Sequence, residues 1–327
     1  MSIALLVWFG VDTLLLAFAS LLTAIVFHSA ARFVSRFTGL TQGWSLALAL
    51  LVAIVALLAA AALIGSRIAA QTNQLQTDLP QAWEKVQAAL RASEWGSRLL
   101  GQLPEPGELL SAGYRHGGLF SAFSTVLSGV ATLLIVGFVG LYFAAEPDLY
   151  RRGLLQLAPK SRQKRAGEVF DRLGDQLRHW LLGKLALMLF VGIATWLGLW
   201  ILKMPLLAAL ALLAALLDFI PNIGPILSAI PALLLAFTQS TEQVLWVAGL
   251  YLTVQVVESY ILQPLVQQRA VSLPPALTLL GQVLIATLFG APGLILATPL
   301  TVVAMNLVQM LYVEDVVNKG ADAHPPA

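Results

Sequence analysis

The chain has 327 residues, of which 58% are hydrophobic and only 11% are charged, and its formal net charge at pH 7 is +2. Soluble domains carry a charge on about a quarter of their residues, so this composition predicts a multi-spanning membrane protein. The absence of cysteine excludes disulfides, thiolate metal sites and a cysteine nucleophile. The four histidines are scattered without the spacing of metal ligands. We therefore expect neither a metal nor an organic cofactor.

The first 145 residues alternate apolar and polar blocks. Residues 1–65 are predicted to contain two membrane spans, Ile3–Phe27 and Trp44–Ile64, joined by a short basic link. Residues 66–118 form the longest polar region. Its apolar residues recur at helical spacing: Leu75, Leu79, Trp83, Val86 and Leu90. A third span follows at 119–145, so we expect an extracytoplasmic, amphipathic helical region between spans.

Residues 146–180 are strongly basic and carry an apolar stripe. The basic residues are Arg151, Arg152, Lys160, Arg162, Lys164, Arg165, Arg172 and Arg178. Because basic residues accumulate on the cytoplasmic side of spans, we expect this segment to lie along the inner surface, with membrane lipids as partners. Nucleic-acid binding is the rival interpretation. It is disfavoured because the cluster adjoins spans and matches no nucleic-acid-binding motif.

The apolar tract 206–237 is interrupted by the sequence Asp218-Phe-Ile-Pro-Asn-Ile-Gly-Pro225. Proline removes a backbone donor and glycine opens unusual backbone angles, so a regular helix cannot pass through this stretch. Each apolar arm has about 12 residues, which is too short to cross a bilayer alone. The tract therefore predicts a re-entrant hairpin with its polar tip near mid-depth, in which Pro221 and Pro225 are break residues.

A second stretch of the chain repeats this order. Residues 181–237 and 244–312 each contain a span, a link ending in proline, and an apolar tract with a Gly/Pro break. The later break residues are Gly290, Pro292 and Gly293. Counting basic residues places the N-terminus outside and the C-terminus inside, so the two hairpins enter from opposite sides. Such an inverted repeat points to the binding site of a transporter; a chance match of low-complexity tracts is the alternative. Residues 313–327 are predicted to be a disordered tail.

Candidate binding residues are the polar side chains and the tip glycine inside these tracts. The predicted substrate- or ion-binding set is Asp218, Asn222, Gly224, Gln255, Glu258 and Gln282. Ionisable residues within spans are functional by default, and Asp218 either serves transport or caps the helix break. Glu258 either binds a cation or proton, or forms a static salt bridge with Arg269 or Lys184. Gln282 either contacts the solute or links two helices by a hydrogen bond.

The sequence favours no enzyme class. It lacks the HExxH zinc motif, the GxSxG nucleophile elbow and a Walker A sequence, and the last absence argues against ATP-driven transport by this chain. An intramembrane aspartyl protease needs two apposed carboxylates, and only Asp218 and Glu258 are available for that role. We therefore predict no catalytic residues.

The segment Asp218-Phe-Ile-Pro-Asn-Ile-Gly-Pro225, followed by Glu258, Leu273-Pro-Pro275 and Gly290–Gly293, resembles the AI-2E transporter family. The resemblance covers nearly the whole chain and implies a multi-pass protein of the bacterial inner membrane. Members of that family are linked to export of the quorum-sensing signal autoinducer-2, and others to sodium/proton antiport. Family members usually have both termini in the cytoplasm, so the charge count implies that the family's first helix is missing or shortened here.

Together these patterns predict an all-α polytopic membrane protein with spanning helices and two opposed re-entrant hairpins. The preferred function is a secondary transporter that exports a small polar solute such as autoinducer-2 by alternating access, with H⁺ or Na⁺ as a possible coupling ion. The alternatives are a sodium (cation)/proton antiporter and, in another class, a channel-like or structural membrane protein. The outer loop and the surface helix indicate a homo-oligomer.

Overall fold

The computed structural model describes residues 2–55, 118–267 and 275–318, and in addition a few isolated positions between 59 and 88. Every regular element in the three ranges is helical, which confirms the all-α class. The predictions made for the polar region after residue 65, for Arg269 and for the chain beyond residue 318 lie outside the described residues.

Ten α-helices of the described ranges carry the argument below. They are α1 (Ser2–Thr38), α2 (Gln42–Val55), α3 (Gly118–Ala145), α4 (Pro147–Gln156), α5 (Gln163–Ile201), α6 (Leu207–Leu217), α7 (Ile223–Gln239), α8 (Thr241–Val257), α9 (Gln263–Gln267) and α10 (Pro275–Leu307). A 3₁₀ turn, Lys160–Arg162, precedes α5, and π-helical stretches follow α8 (Glu258–Leu262) and α10 (Val308–Asn318). Among the described helices, 4 stretches are long and apolar enough to cross a membrane, or up to 5 if the bent pair α3–α4 counts as one span. The chain is therefore a multi-pass membrane protein.

The first helix is longer than its apolar sequence. It continues past the predicted end at Phe27 to Thr38 and includes Arg32 and Arg36. Gly39 terminates it with a φ of 68°, and the Gly39 N–H donates to the Ser35 carbonyl at 2.9 Å. Glycine is favoured at this position because the left-handed conformation costs it nothing. Long arginine side chains can reach the interface from inside a helix, so the charges did not end it.

The predicted surface segment 146–180 is divided between two helices. A bend of 86° separates α3 from α4, and Pro147 is the first residue of α4, where its missing N–H breaks no helical bond. The other part is the beginning of α5, which has 39 residues. That length corresponds to about 58 Å, nearly twice the hydrocarbon thickness of a bilayer. The basic half of α5 is therefore continuous with the apolar half in one helix that is longer than a single crossing requires; its location at the inner surface stays a prediction.

Both predicted helix breaks are present. The first lies between α6 and α7, at Asp218–Asn222. The second interrupts α10 at Gly290, whose φ of 64° and ψ of −148° are not helical. We call α6–α7 the first broken helix, and α10 with its π-helical extension the second broken helix. That their arms enter and leave the membrane on the same side stays a prediction.

The end of the second broken helix differs from the expected disordered tail. The π-helical stretch runs to Asn318, past residue 313. Glu314 and Asp315 accept hydrogen bonds from Arg165 at 3.0 Å and 3.1 Å. Polar side chains at the end of a helix did not indicate disorder here because they have a basic partner far away in the sequence.

Two compact units divide the chain. The first comprises Met1–Ile54, Leu134–Lys184 and Leu265–Ala327, and the second comprises Val55–Leu133 and Leu185–Pro264. A buried cluster in the first unit contains Ala24, Ala31, Leu46 and Ala144. A buried cluster in the second unit joins the end of α5 to α6, α7 and α8, and contains Leu199, Met204, Leu206, Leu210, Ala232, Leu235, Ala236 and Val247. The first broken helix thus belongs to the second unit, and the second broken helix to the first.

Large apolar side chains also cover the outside of the helices. Exposed examples are Leu133, Phe138, Trp200, Leu216, Leu245, Leu252, Leu280 and Val283. Soluble monomers rarely expose contiguous apolar patches of more than a few hundred Å². Lipid chains or further copies of the chain must cover such helices.

Close packing of α3 on α1 generates a testable prediction. A Cβ atom added at Gly140 would lie 2.9 Å from both the Ser20 carbonyl oxygen and the Thr23 Cβ atom. We expect Gly140→Ala to lower the free energy of unfolding by about 1–3 kcal/mol, since neither neighbour is the end of a flexible side chain. Thermal unfolding of the purified protein in detergent measures this change.

Gly137 provides the matched control on the same helix, because a Cβ atom there meets nothing within 4 Å. Alanine is a better helix former than glycine by roughly 0.5–1 kcal/mol, so Gly137→Ala is expected to keep or raise the melting temperature. Equal shifts for the two variants would contradict the close approach of α3 and α1.

Candidate functional site

The first break begins where the hydrogen bonding of α6 changes. The Asp218 N–H still donates to the Ala214 carbonyl at 3.0 Å, four residues back. The next two N–H groups shift to acceptors three residues back, Phe219 to Leu216 at 3.3 Å and Ile220 to Leu217 at 2.9 Å. Pro221 then has no N–H to offer. The last turn of α6 is therefore tightened before the chain leaves the helix.

The restart of the helix depends on one glycine. The Gly224 N–H donates to the Ile220 carbonyl at 2.9 Å, which carries the chain into α7. A Cβ atom at Gly224 would lie 1.8 Å from the Leu217 carbonyl oxygen. Only glycine fits, because backbone atoms from the two sides of the break almost touch here. Pro225, predicted as a break residue, lies inside the first turn of α7.

Asp218 and Asn222 occupy different environments. The Asp218 side chain is fully buried, with 0% of its surface exposed, whereas Asn222 is exposed. Asn222 has a φ of 66° and a ψ of −48°, and the Ile223 N–H donates to the Pro221 carbonyl at 2.8 Å. This is the pattern of a γ-turn with a positive φ at its central residue, which is rare and strained for a residue with a side chain. The structure thus gives Asn222 a backbone role at the tip. Its predicted role in binding stays a prediction.

Further polar groups of the second unit lie at the end of α8. Glu258 is buried, with 6% exposed, and is the first residue of the π-helical turn. Such single π turns within helices are frequent at functional sites. The Gln255 side-chain amide donates to the Ser259 hydroxyl at 3.0 Å. Gln255 and Glu258 therefore remain candidates, with Gln255 engaged by a neighbour on its own helix.

The second break uses the same construction in the first unit. A Cβ atom at Gly293 would lie 2.6 Å from the Ile285 carbonyl oxygen, so backbone approaches backbone as it does at Gly224. Gly290 and Pro292 are exposed at the tip. Gln282, 1% exposed, lies on the arm before the break. The predicted binding set is therefore distributed over both units.

Sequence reasoning passed over several buried polar residues. In the second broken helix these are Thr278, Thr298 and Asn306, and on α5 there is Thr195. Thr278 and Gln282 are four residues apart and share a helix face. That spacing within an apolar tract is the sequence signal that could have identified Thr278 as a buried polar residue. Asn306 donates to the Val302 carbonyl at 2.8 Å.

No group of three His, Asp or Glu side chains in the described part of the chain is placed to hold a metal ion. The polar groups instead suit hydrogen bonding to a solute, or the binding of a single cation by a carboxylate. Multi-spanning helices with two Gly/Pro breaks and buried polar side chains beside them are typical of secondary transporters.

Comparison of the sequence with models of known protein families narrows this class to one family. The model of the AI-2E family transporters matches residues 1–312. The chain belongs to the AI-2E transporter family, and it is accordingly a multi-pass protein of the inner membrane. The resemblance derived from the first break and its companions is confirmed.

Three curated relatives are similar to this chain over different lengths. "Putative transport protein YrrI" of Bacillus subtilis (strain 168) is 30% identical over 57% of this chain and 53% of its own length. "Putative transport protein YueF" of the same organism is 25% identical over 76% of this chain and 72% of its length. "AI-2 transport protein TqsA" of Escherichia coli (strain K12) is 28% identical over 79% of this chain and 75% of its length. The match to the first of these spans about half of that relative.

The contact at Gly224 gives a prediction about stability. Gly224→Ala is expected to lower the free energy of unfolding by about 3 kcal/mol or more, because the new methyl group cannot coexist with the Leu217 carbonyl. Gly249→Ala on α8 is the control, since a Cβ atom there meets nothing within 4 Å. Thermal unfolding of both variants in detergent decides the question. A Gly224→Ala protein as stable as the control would mean that the break has another geometry.

The positive φ at Asn222 gives a separate prediction. Asn222→Gly is expected to unfold within about 0.5 kcal/mol of the wild type, whereas Asn222→Val is expected to lose about 2 kcal/mol. Because the side chain is exposed, we also expect the glycine variant to keep its transport rate. A stable Asn222→Gly protein with impaired transport would instead indicate that the Asn222 side-chain amide takes part in binding.

Proposed function

We propose that this protein exports a small polar solute by alternating access, with its binding site at the first break. The observation that carries the proposal is the complete burial of Asp218 beside that break. A carboxylate in the apolar part of a membrane protein is costly, so ionisable residues there face a cavity or partner and are functional by default. Broken helices at matching positions in two repeats are where transporters bind their substrates.

The competing role for Asp218 is to cap the broken helix. The N–H groups of Asp218, Phe219, Ile220 and Gly224 all have backbone carbonyl acceptors. These donors need no side-chain cap, and helix α7 has no side-chain cap at its start. The flux measurement on Asp218→Asn described below decides between the capping role and the transport role.

Autoinducer-2 is the first solute to test. Its choice rests on the name of the Escherichia coli relative, "AI-2 transport protein TqsA", and extends to this chain only as a proposal. Buried carboxylates at Asp218 and Glu258 make H⁺ and Na⁺ the candidate coupling ions. We propose that the protein works as a homo-oligomer, whose contacts would cover part of its exposed apolar surface.

The test is solute flux in proteoliposomes with the wild type, Asp218→Asn and Asp12→Asn. Asp12 is exposed near the start of α1 and provides a control with the same chemical change. We expect saturable efflux of labelled autoinducer-2 that falls at least about tenfold in Asp218→Asn, equivalent to roughly 1.4 kcal/mol. Asp12→Asn is expected to match the wild type.

A pH-sensitive dye recorded with and without sodium separates the alternatives in the same vesicles. Sodium-dependent proton movement that disappears in Asp218→Asn would identify an antiporter. Flux that does not saturate would identify a channel. Saturable efflux that is unchanged in Asp218→Asn would make Asp218 a structural residue.

A further inference from the structure

A cluster of charged groups joins the start of α5 to the end of the second broken helix. The Arg165 guanidinium donates through Nε to Asp315 at 3.1 Å and through Nη2 to Glu314 at 3.0 Å. The same Nη2 atom also donates to the Met310 backbone carbonyl at 3.1 Å. Arg172, two turns along α5, donates to the other Glu314 oxygen at 2.9 Å. We call these five residues the Arg165 clamp.

Exposed ion pairs usually contribute little to the stability of a protein, because solvent screens the charges and two flexible side chains must be ordered. The Arg165 clamp differs in two ways. Three of its side chains are about two-thirds or more buried: Arg165, Glu314 and Asp315 have 33%, 29% and 24% of their side-chain surface exposed. The guanidinium also donates to three carboxylates and one carbonyl: Glu314, Asp315, Met310 and, at 3.3 Å on its own helix, Glu168. A lysine ammonium could not reproduce that fixed fork.

The same part of α5 is attached to α1. Arg178 donates from its Nε atom to the hydroxyl of buried Ser29 at 3.0 Å. One helix therefore makes polar contacts with α1 at one point and with the second broken helix at another, all within the first unit. The contacts of Arg165 with Glu314, Asp315 and the Met310 carbonyl are all direct, at 3.0 to 3.1 Å.

We infer that Arg165 is a positioning residue that keeps the C-terminal arm of the second broken helix fixed to α5 throughout the transport cycle. The inference rests on the proposed function, because it concerns which elements stay together while the solute crosses. The opposite possibility is a cytoplasmic gate, in which the clamp must break for the path to open.

The absence of cysteine from the sequence makes a direct test possible. Asp175 and Tyr312 are exposed, on α5 and on the C-terminal arm respectively. Spin labels on Asp175→Cys/Tyr312→Cys in proteoliposomes report the distance between these elements with sodium or pH gradients of either direction. We expect one narrow distance distribution that the gradients do not change. Two distances whose ratio follows the gradient would overturn the inference.

Variants of the clamp test the role of Arg165 itself. Arg165→Ala is expected to broaden the distance distribution and to lower the maximal transport rate at least about threefold with KM unchanged, since the solute site keeps its groups. Arg165→Lys should restore the rate only in part. The control is Arg162→Ala, because Arg162 is exposed and makes no ion pair among the described residues. A narrow distribution in Arg165→Ala would contradict the inference.

A cross-link separates a fixed clamp from a gate. A bifunctional maleimide joining the two cysteines should leave at least about half of the flux if the clamp stays closed, and should abolish flux if it opens. Should the protein without cross-linker move no solute at all, the proposed function fails. The spin-label distances then still decide whether the arm stays fixed.

Discussion

The need to satisfy backbone hydrogen bonds inside the membrane governs this structure. Each unpaired N–H or C=O in lipid costs several kcal/mol, so a broken helix must recover its bonds locally. The first break does so by shifting Phe219 and Ile220 to acceptors three residues back and by returning the Gly224 N–H to Ile220. That arrangement presses Gly224 against the Leu217 carbonyl, next to the buried Asp218.

The second break solves the same problem with the same residue type. Gly293 lies against the Ile285 carbonyl as Gly224 lies against the Leu217 carbonyl. The polar groups around the two breaks nevertheless differ, because the first has a buried carboxylate at Asp218 and the second has the buried amide of Gln282 on its first arm. The two breaks therefore share a backbone design but differ in the buried polar group on the arm that precedes the break.

How far the sequence predicts the structure depends on the range of the interaction. The breaks at Asp218–Pro225 and Gly290–Gly293 were predictable because proline and glycine act within one turn. The positive φ of Asn222 was not predictable, because asparagine permits such a backbone angle without requiring it. The clamp of Arg165 with Glu314 and Asp315 joins residues about 150 positions apart, and charge patterns in a single sequence do not pair such groups. The continuation of α1 through Arg32 to Thr38 was also not predictable from the apolar pattern, because long side chains tolerate the interface.

The long helix α5 combines two kinds of contact. Its first half is held by directional polar bonds from Arg165, Arg172 and Arg178. Its second half packs through small residues: a Cβ atom at Gly192 would lie 2.9 Å from the Ala215 Cβ atom, and one at Gly198 would overlap Leu250. In lipid, helices gain little from burying apolar surface, so close van der Waals contact is a main source of the attraction between such helices. Directional bonds fix one geometry, whereas small-residue surfaces leave sliding less opposed. Any movement that involves α5 should therefore concentrate at its apolar half, beside the first broken helix that carries Asp218.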